Sequence, residues 1–258
     1  MDTEAQHTER GSSSEPITGD GEGSRSARSP RPSWPRRLLR RPGTGALAAA
    51  CVVFLFLLST FVVQPFLIPS GSMEPTLRVG DRVLVNKLAY RFGAEPRRED
   101  MVVFDGTGSF VDEAPRGNPV TGLLRAAGAA LGLSEPAETD FVKRVVGVGG
   151  DRVVCCDGRG RLSVNGTPVD EPYLMPGDAP SNAPFDVVVP RGTLWVMGDH
   201  RSRSSDSRDH LGSPGGGMVP VGKVIGRVDW IGWPFGRWTS FDPSGAFADV
   251  PEPGAAHG

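Results

Sequence analysis

Val79-Gly80-Asp81-Arg82-Val83-Leu84-Val85-Asn86-Lys87-Leu88 alternates apolar and polar side chains. Successive side chains on a strand point to opposite faces, so alternation at period two marks a half-buried strand. Similar segments follow. Residues 100–104 hold a short apolar run, Met101-Val102-Val103-Phe104, and residues 141–148 form a strand stopped by Gly149-Gly150. Another strand covers 152–156. Residues 162–169 place Asn165-Gly166 between two short apolar stretches, the signature of a tight hairpin. Residues 187–190 and 193–197 repeat the pattern around Arg191-Gly192, and 224–230 are the last strand. The chain holds 35 Gly and 24 Pro, many of them punctuating these runs. The expected fold class is mainly β: an antiparallel β-sheet body, a closed or half-closed barrel. Residues 105–140 are loop-rich around one weak helical stretch, 123–133, and are taken as an insertion without an assigned role.

Upstream of this body, residues 44–63 carry no charge and are rich in Ala, Val, Leu and Phe. At about 1.5 Å rise per residue, roughly 20 residues span a hydrocarbon core near 30 Å. Arg31, Arg36, Arg37, Arg40 and Arg41 precede the run with no acid among them. Basic flanks stay cytoplasmic, so the expected arrangement is a single N-terminal transmembrane helix, its N-terminus inside and the body extracytoplasmic. A cleaved signal peptide is the alternative. Its apolar core is shorter, about 7–15 residues, and ends at a small-x-small site that Gln64-Pro65-Phe66-Leu67 does not provide. The expected organisation is a disordered cytoplasmic tail with a basic juxtamembrane segment (1–43), a signal anchor (44–64), a β-rich body (65–242) and a disordered tail (243–258).

A net charge of −2 argues against a nucleic-acid or polyanion partner. The three cysteines form no disulfide framework. Cys51 lies in the apolar run, and Cys155 and Cys156, as strand neighbours pointing to opposite faces, are expected as free thiols. No metal-ligand spacing occurs. Lys87, Lys143 and Lys223 are the lysines among 28 Lys and Arg residues. A buried Lys can lose its proton where Arg cannot, so each is a candidate for work that Arg could not do.

Chemistry concentrates at two places. Ser70-Gly71-Ser72 follows the apolar run closely, and a serine needs a base before it becomes a nucleophile. Of the two histidines outside the tails, His200 and His210, His200 with Asp206 would supply a Ser-His-Asp arrangement. Lys143, after Phe141-Val142 in an apolar strand, would supply a neutral amine if burial desolvates it. Composition leaves both open. The second place is the polar loop 198–208 after an apolar strand, where Arg208 can pair with Asp206.

Together these pieces resemble bacterial type I signal peptidase, a membrane-bound serine protease. Four blocks carry the resemblance in the family's order: PFLIPSGSMEPTL, GDRVLVNKLAY, FVKRVVGVGGDRV, and GDHRSRSSDSR followed by VIGRV, with the VNGTPVDEPYL hairpin as a fifth match. The resemblance implies Ser72 as nucleophile and Lys143 as general base. It implies Ser70 as the side-chain donor of an oxyanion hole, Ser204 as a partner orienting the Lys143 amine, and Asp206 and Arg208 as a supporting pair. It implies shallow pockets for small side chains, lined by Phe66, Ile68, Pro69, Met73, Leu77, Phe141 and Val142. The implied substrates are membrane-bound preproteins cut after an Ala-x-Ala site beside the phospholipid bilayer, with no metal or cofactor. Gly198-Asp199-His200 departs from the family's more frequent Gly-Asp-Asn. The aromatic stretch 230–238, too short and broken to span, is expected to rest on the outer leaflet. A reading from another class is a membrane-anchored β-domain that binds exported proteins without cutting them.

Overall fold

The computed structural model describes residues 42–111 and 139–253. A helix, α1 (Pro42–Phe61), leads into strands β1 (Val63–Leu67), β2 (Arg82–Asn86), β3 (Met101–Asp105), β4 (Asp140–Val148) and β5 (Arg152–Cys155). Then come β6 (Leu162–Val164), β7 (Thr167–Val169), β8 (Phe185–Val188), β9 (Thr193–Met197), β10 (Val219–Pro220), β11 (Val224–Trp233) and β12 (Thr239–Ser240). All the ladders are antiparallel. The larger sheet runs β1-β2-β11-β3-β4-β9-β10, with β12 on β11, and the smaller runs β7-β6-β5-β8. The mainly β, antiparallel expectation therefore holds. Among the described residues the larger sheet ends at β1 and β10 without pairing them, so it is open and not a closed barrel.

The apolar pattern explains the packing. On β2 the inward Val83 and Val85 have no exposed surface and meet Phe66, Ile68, Met73, Leu77, Met101, Val103, Val228 and Ile231. Central β3 is apolar on both faces: Val102 and Phe104 face a second cluster with Val145, Leu194, Val196 and Val219. A third cluster fills the smaller sheet and takes Trp195 and Met197 from β9. Burying each such side chain contributes about 1.5–3 kcal/mol. The Asn165-Gly166 hairpin forms as expected, with φ of 52° and 82°, between β6 and β7.

Several expectations are corrected. The uncharged run does not stay helical to Gln64. α1 stops at Phe61 and β1 takes Val63–Leu67, because that segment pairs with β2 from Val63↔Asn86 to Leu67↔Arg82. Among the described residues no helix is long and apolar enough to cross a membrane. The segments flanking Arg191-Gly192 are not a hairpin: β8 pairs with β5 in the smaller sheet, and β9 pairs with β4 and β10 in the larger. Residues 243–253 are not a loose tail, since Phe247 and Val250 are buried in the third cluster. Cys155 and Cys156 are joined in a disulfide rather than free. β5 ends at Cys155, so the strand alternation that would separate the two side chains does not extend to Cys156. The 123–133 stretch lies outside the described residues. At the base of its segment, Phe110 packs edge-on to Phe104 and Phe141.

Candidate active site

Ser72 sits on one 3-10 turn, Gly71–Met73, that follows β1. Apolar burial fixes this turn. Met73 and Leu77 plug into the core with Phe66 and Ile68, and the Leu77 amide donates to the Met73 carbonyl at 2.8 Å. The Gly80 amide donates to Ile68, whose own amide donates to Asp81, closing the loop back onto β2. Lys143 enters from β4, opposite Val102 of β3. Its Nζ donates to the Ser72 Oγ at 2.8 Å, and both residues are buried. The Ser70 Oγ lies 3.4 Å from the Ser72 Oγ. Burial disfavours the ammonium and outweighs the opposing pull of Asp206 and Asp199, bringing the Lys143 pKa down from 10.5 to about 8. The other lysines are engaged elsewhere, Lys87 with Gln64 and Lys223 with Asp105.

The 198–208 loop closes over this pair from the end of β9. Asp206 has no exposed surface. It accepts from Arg208 Nε at 2.8 Å and Nη2 at 2.9 Å, and from the Gly198 amide at 3.0 Å. Burial alone would raise its pKa, but Arg208 prevails and holds the carboxyl below its usual value. The Asp206–Arg208 pair expected from the sequence is therefore present. Ser204 is different: its hydroxyl is buried beside Asp206 and helps hold that carboxyl below its usual value, while the amine it was expected to orient points to Ser72. The histidines do not assemble a triad. His200 donates its backbone amide to the Ser72 carbonyl at 3.1 Å, but its Nδ1 faces Glu74 Oε2 at 3.7 Å. His210 bonds Ser205 through Nε2 at 3.2 Å and stacks on Phe110.

The expected pocket residues divide into two groups. Phe66, Ile68, Met73 and Leu77 are 5% exposed or less and form a floor under the turn rather than an accessible wall. Pro69 is exposed and Val142 half-buried against that floor. Phe141 packs with Phe104 and Phe110 in a separate cluster, so it does not join the Phe66 group.

The sequence reading missed Arg144, Asp199 and Thr76. Arg144, also on β4, clamps Asp199 with Nε at 2.8 Å and Nη2 at 2.7 Å, and lies 4.0 Å over the Tyr173 ring. Asp199 also accepts from the Thr76 hydroxyl at 2.5 Å. The available signal was an acid placed right after an apolar strand, a position where a charge survives only with a buried partner.

Gly198 lets these parts converge. A Cβ there would fall 2.5 Å from the Ser72 carbonyl oxygen and would also strike Ser204. Gly198→Ala should therefore move the nucleophile turn, lowering kcat by about 100-fold, as misplacements near 1 Å do. Steady-state kinetics beside a thermal melt would measure it, and wild-type kcat would contradict the argument.

The comparisons agree with this geometry. A family model described as signal peptidase, peptidase S26, matches residues 43–233. Signal peptidase I of Mycobacterium tuberculosis (strain ATCC 25618 / H37Rv) is 41% identical over 242 residues, 85% of this chain and 81% of that protein. A probable signal peptidase I of Mycobacterium leprae (strain TN) is 41% identical over 223 residues, 74% of this chain and 76% of that protein. Signal peptidase IB of Staphylococcus aureus (strain N315) is 30% identical over 212 residues, 76% of this chain and 91% of that protein. With its serine and lysine in contact and these matches spanning most of its length, this chain belongs to the signal peptidase family, peptidase S26.

Proposed function

We propose that this chain is a type I signal peptidase that removes N-terminal signal peptides from exported preproteins, cutting after an Ala-x-Ala site. The observation that carries this is the 2.8 Å contact between the Lys143 amine and the Ser72 hydroxyl in a buried setting. In the neutral form of Lys143 the contact reverses and Ser72 donates. Lys143 then takes the Ser72 proton as Oγ attacks the scissile carbonyl, and passes it to the leaving amine nitrogen. It next takes a proton from water, which attacks the acyl ester and frees Ser72 with its proton restored. The Ser72 backbone N–H and the Ser70 hydroxyl stabilise the oxyanion, each such donor contributing about 2.7–4 kcal/mol. The resident chemistry needs no metal or cofactor. Shallow sites beside Pro69 and Val142, over the Phe66-Ile68-Met73-Leu77 floor, suit small side chains.

In this reading the uncharged run 44–63, with the basic segment before it, holds the chain at the bacterial plasma membrane, N-terminus cytoplasmic and body extracytoplasmic. The uncharged run supports it, as do the arginines before it and the exposure of Leu47, Val52, Val53, Phe54 and Leu55 on α1. Trp230, Trp233, Phe235 and Trp238 are exposed at 39–67% and suit a resting place on the outer leaflet.

The test uses detergent-solubilised full-length protein and two preproteins, one with Ala-x-Ala and one with Phe in place of both alanines. The expected result is one cut after the second Ala in the first substrate and at least about 100-fold slower cutting of the second, whose rings clash with pockets shaped for methyl groups. Retention of both preproteins without cleavage would instead favour a binding domain.

A further inference from the structure

Glu99 is a buried acid with no part in the reaction described above. It sits in the turn before β3 with φ of 73°, a conformation that a non-glycine residue adopts only when its surroundings impose it. Its backbone is held on one side: its amide donates to the Val145 carbonyl at 2.8 Å. Its carboxylate is held on the other. It accepts from the Ser244 hydroxyl, the Gly245 amide and the Ala246 amide, all from residues beyond the 43–233 that the family model matches. The segment that makes these bonds is itself secured. Phe247 and Val250 are buried, and Arg98 donates to the carbonyls of Val250 and Pro251 while pairing with Asp151. Asn165 adds a bond to Pro251.

The carbonyl of Glu99 accepts from Arg144 Nη1 at 3.0 Å. That bond, with the Tyr173 ring and the Asp199 carboxylate, sets where the Arg144 guanidinium lies. Asp199 in turn holds Thr76 of the nucleophile segment, and the next residue holds the Ser72 carbonyl. We infer that residues 243–253 form a strap whose bonds to Glu99 position Arg144, and through it the Asp199 carboxylate and the Ser72 turn. Glu99 is thus a positioning residue, and the strap is a working part of the peptidase. The inference rests on Ser72 and Lys143 being the cutting pair.

The experiment compares full-length Glu99→Gln, Ser244→Ala and Ser244→Thr, in the wild-type background and with Arg144→Lys. Each is assayed on the Ala-x-Ala preprotein at a temperature where circular dichroism shows it folded. Glu99→Gln places an NH2 against the Gly245 amide or loses the Ser244 bond. It should lower kcat about tenfold with KM changed by less than about twofold. Ser244→Ala should move kcat the same way, and Ser244→Thr, which keeps the hydroxyl, should restore it. In the Arg144→Lys background the Glu99→Gln effect should vanish, because the coupled partner is already gone. Unchanged kcat with a lowered melting temperature, or the same loss in both backgrounds, would overturn the inference. Ser244→Ala decides the matter if Glu99→Gln does not fold. An inactive wild type would overturn the peptidase reading itself, and the inference with it.

Discussion

Lys143→Ala lowers kcat for preprotein cleavage by about 10⁴- to 10⁶-fold, the range found when one member of a nucleophile–base pair is removed. KM stays near the wild-type value, because the Lys143 amine bonds Ser72 rather than facing the pocket floor. In the wild type the same amine governs the pH dependence. Lys143 acts as a base only when neutral, so kcat/KM rises with pH and levels off above about 8. A His200-based mechanism would instead survive Lys143→Ala.

A second consequence has the opposite sign for stability. The folded pKa of Lys143, about 8, lies below the ordinary 10.5. The unfolded chain therefore binds more protons between these values, and stability rises with pH across that window. Below pH 8 the folded protein carries the whole cost of a buried ammonium, about 3 kcal/mol at 1.36 kcal/mol per pH unit. Lys143→Met fills similar volume without the charge. It should unfold at higher denaturant than the wild type at pH 6–7, with the gain fading toward pH 10.5. Urea titrations at three pH values test this, and a less stable Lys143→Met at pH 6 would refute it. Lower activity with higher stability is the expected trade at a site whose base is held neutral by burial.

The parts of this molecule legible in the sequence are those with local causes. Alternation along 79–88 and the Asn165-Gly166 turn depend on neighbours in the chain; the turn appears where expected, and the strand forms within its run, at Arg82–Asn86. Ser72 and Lys143 were legible from their blocks, although their contact spans 71 residues of sequence. What was not legible depends on distant pairing. Gln64 and Pro65 mark where the helix cannot continue, but that Val63–Leu67 becomes a strand depends on its register against β2. Arg191-Gly192 has the chemistry of a hairpin turn, yet the larger sheet already occupies both edges of β9, leaving β8 to the smaller sheet. Residues 243–253 hold little apolar content beyond Phe247 and Val250, and they are held by distant partners, Arg98, Asn165 and Glu99, the last 145 residues from Ser244. Ser204 was placed by resemblance alone. Its place in the loop matches, but its Oγ makes no bond to the amine.

Asp206→Ala should destabilise the protein by about 3–5 kcal/mol, because it removes one half of a buried ion pair and leaves the other half behind. Arg208 would keep its bond to the Arg201 carbonyl and lose both carboxylate bonds, and the Gly198 amide would lose its acceptor. The Gly198 amide lies at the point where the loop meets Ser72, so the loss reaches the nucleophile as well as the melting temperature. Asp206→Asn separates the two effects. It keeps the shape and removes the charge that raises the Lys143 pKa, so the acid limb of kcat/KM should move below the wild-type value near 8. The carboxyl of Asp206 lies below its usual 3.8 in the folded state, so its contribution is present above 3.8 and is lost as the pH falls through the folded value. Asp206→Asn should lack that acid-side loss. A limb that stays at 8 in Asp206→Asn would mean that burial alone sets the Lys143 amine. A limb that moves down would mean that the Asp206 charge favours the Lys143 ammonium and offsets part of the effect of burial, a second role for a pair whose first is to close the loop.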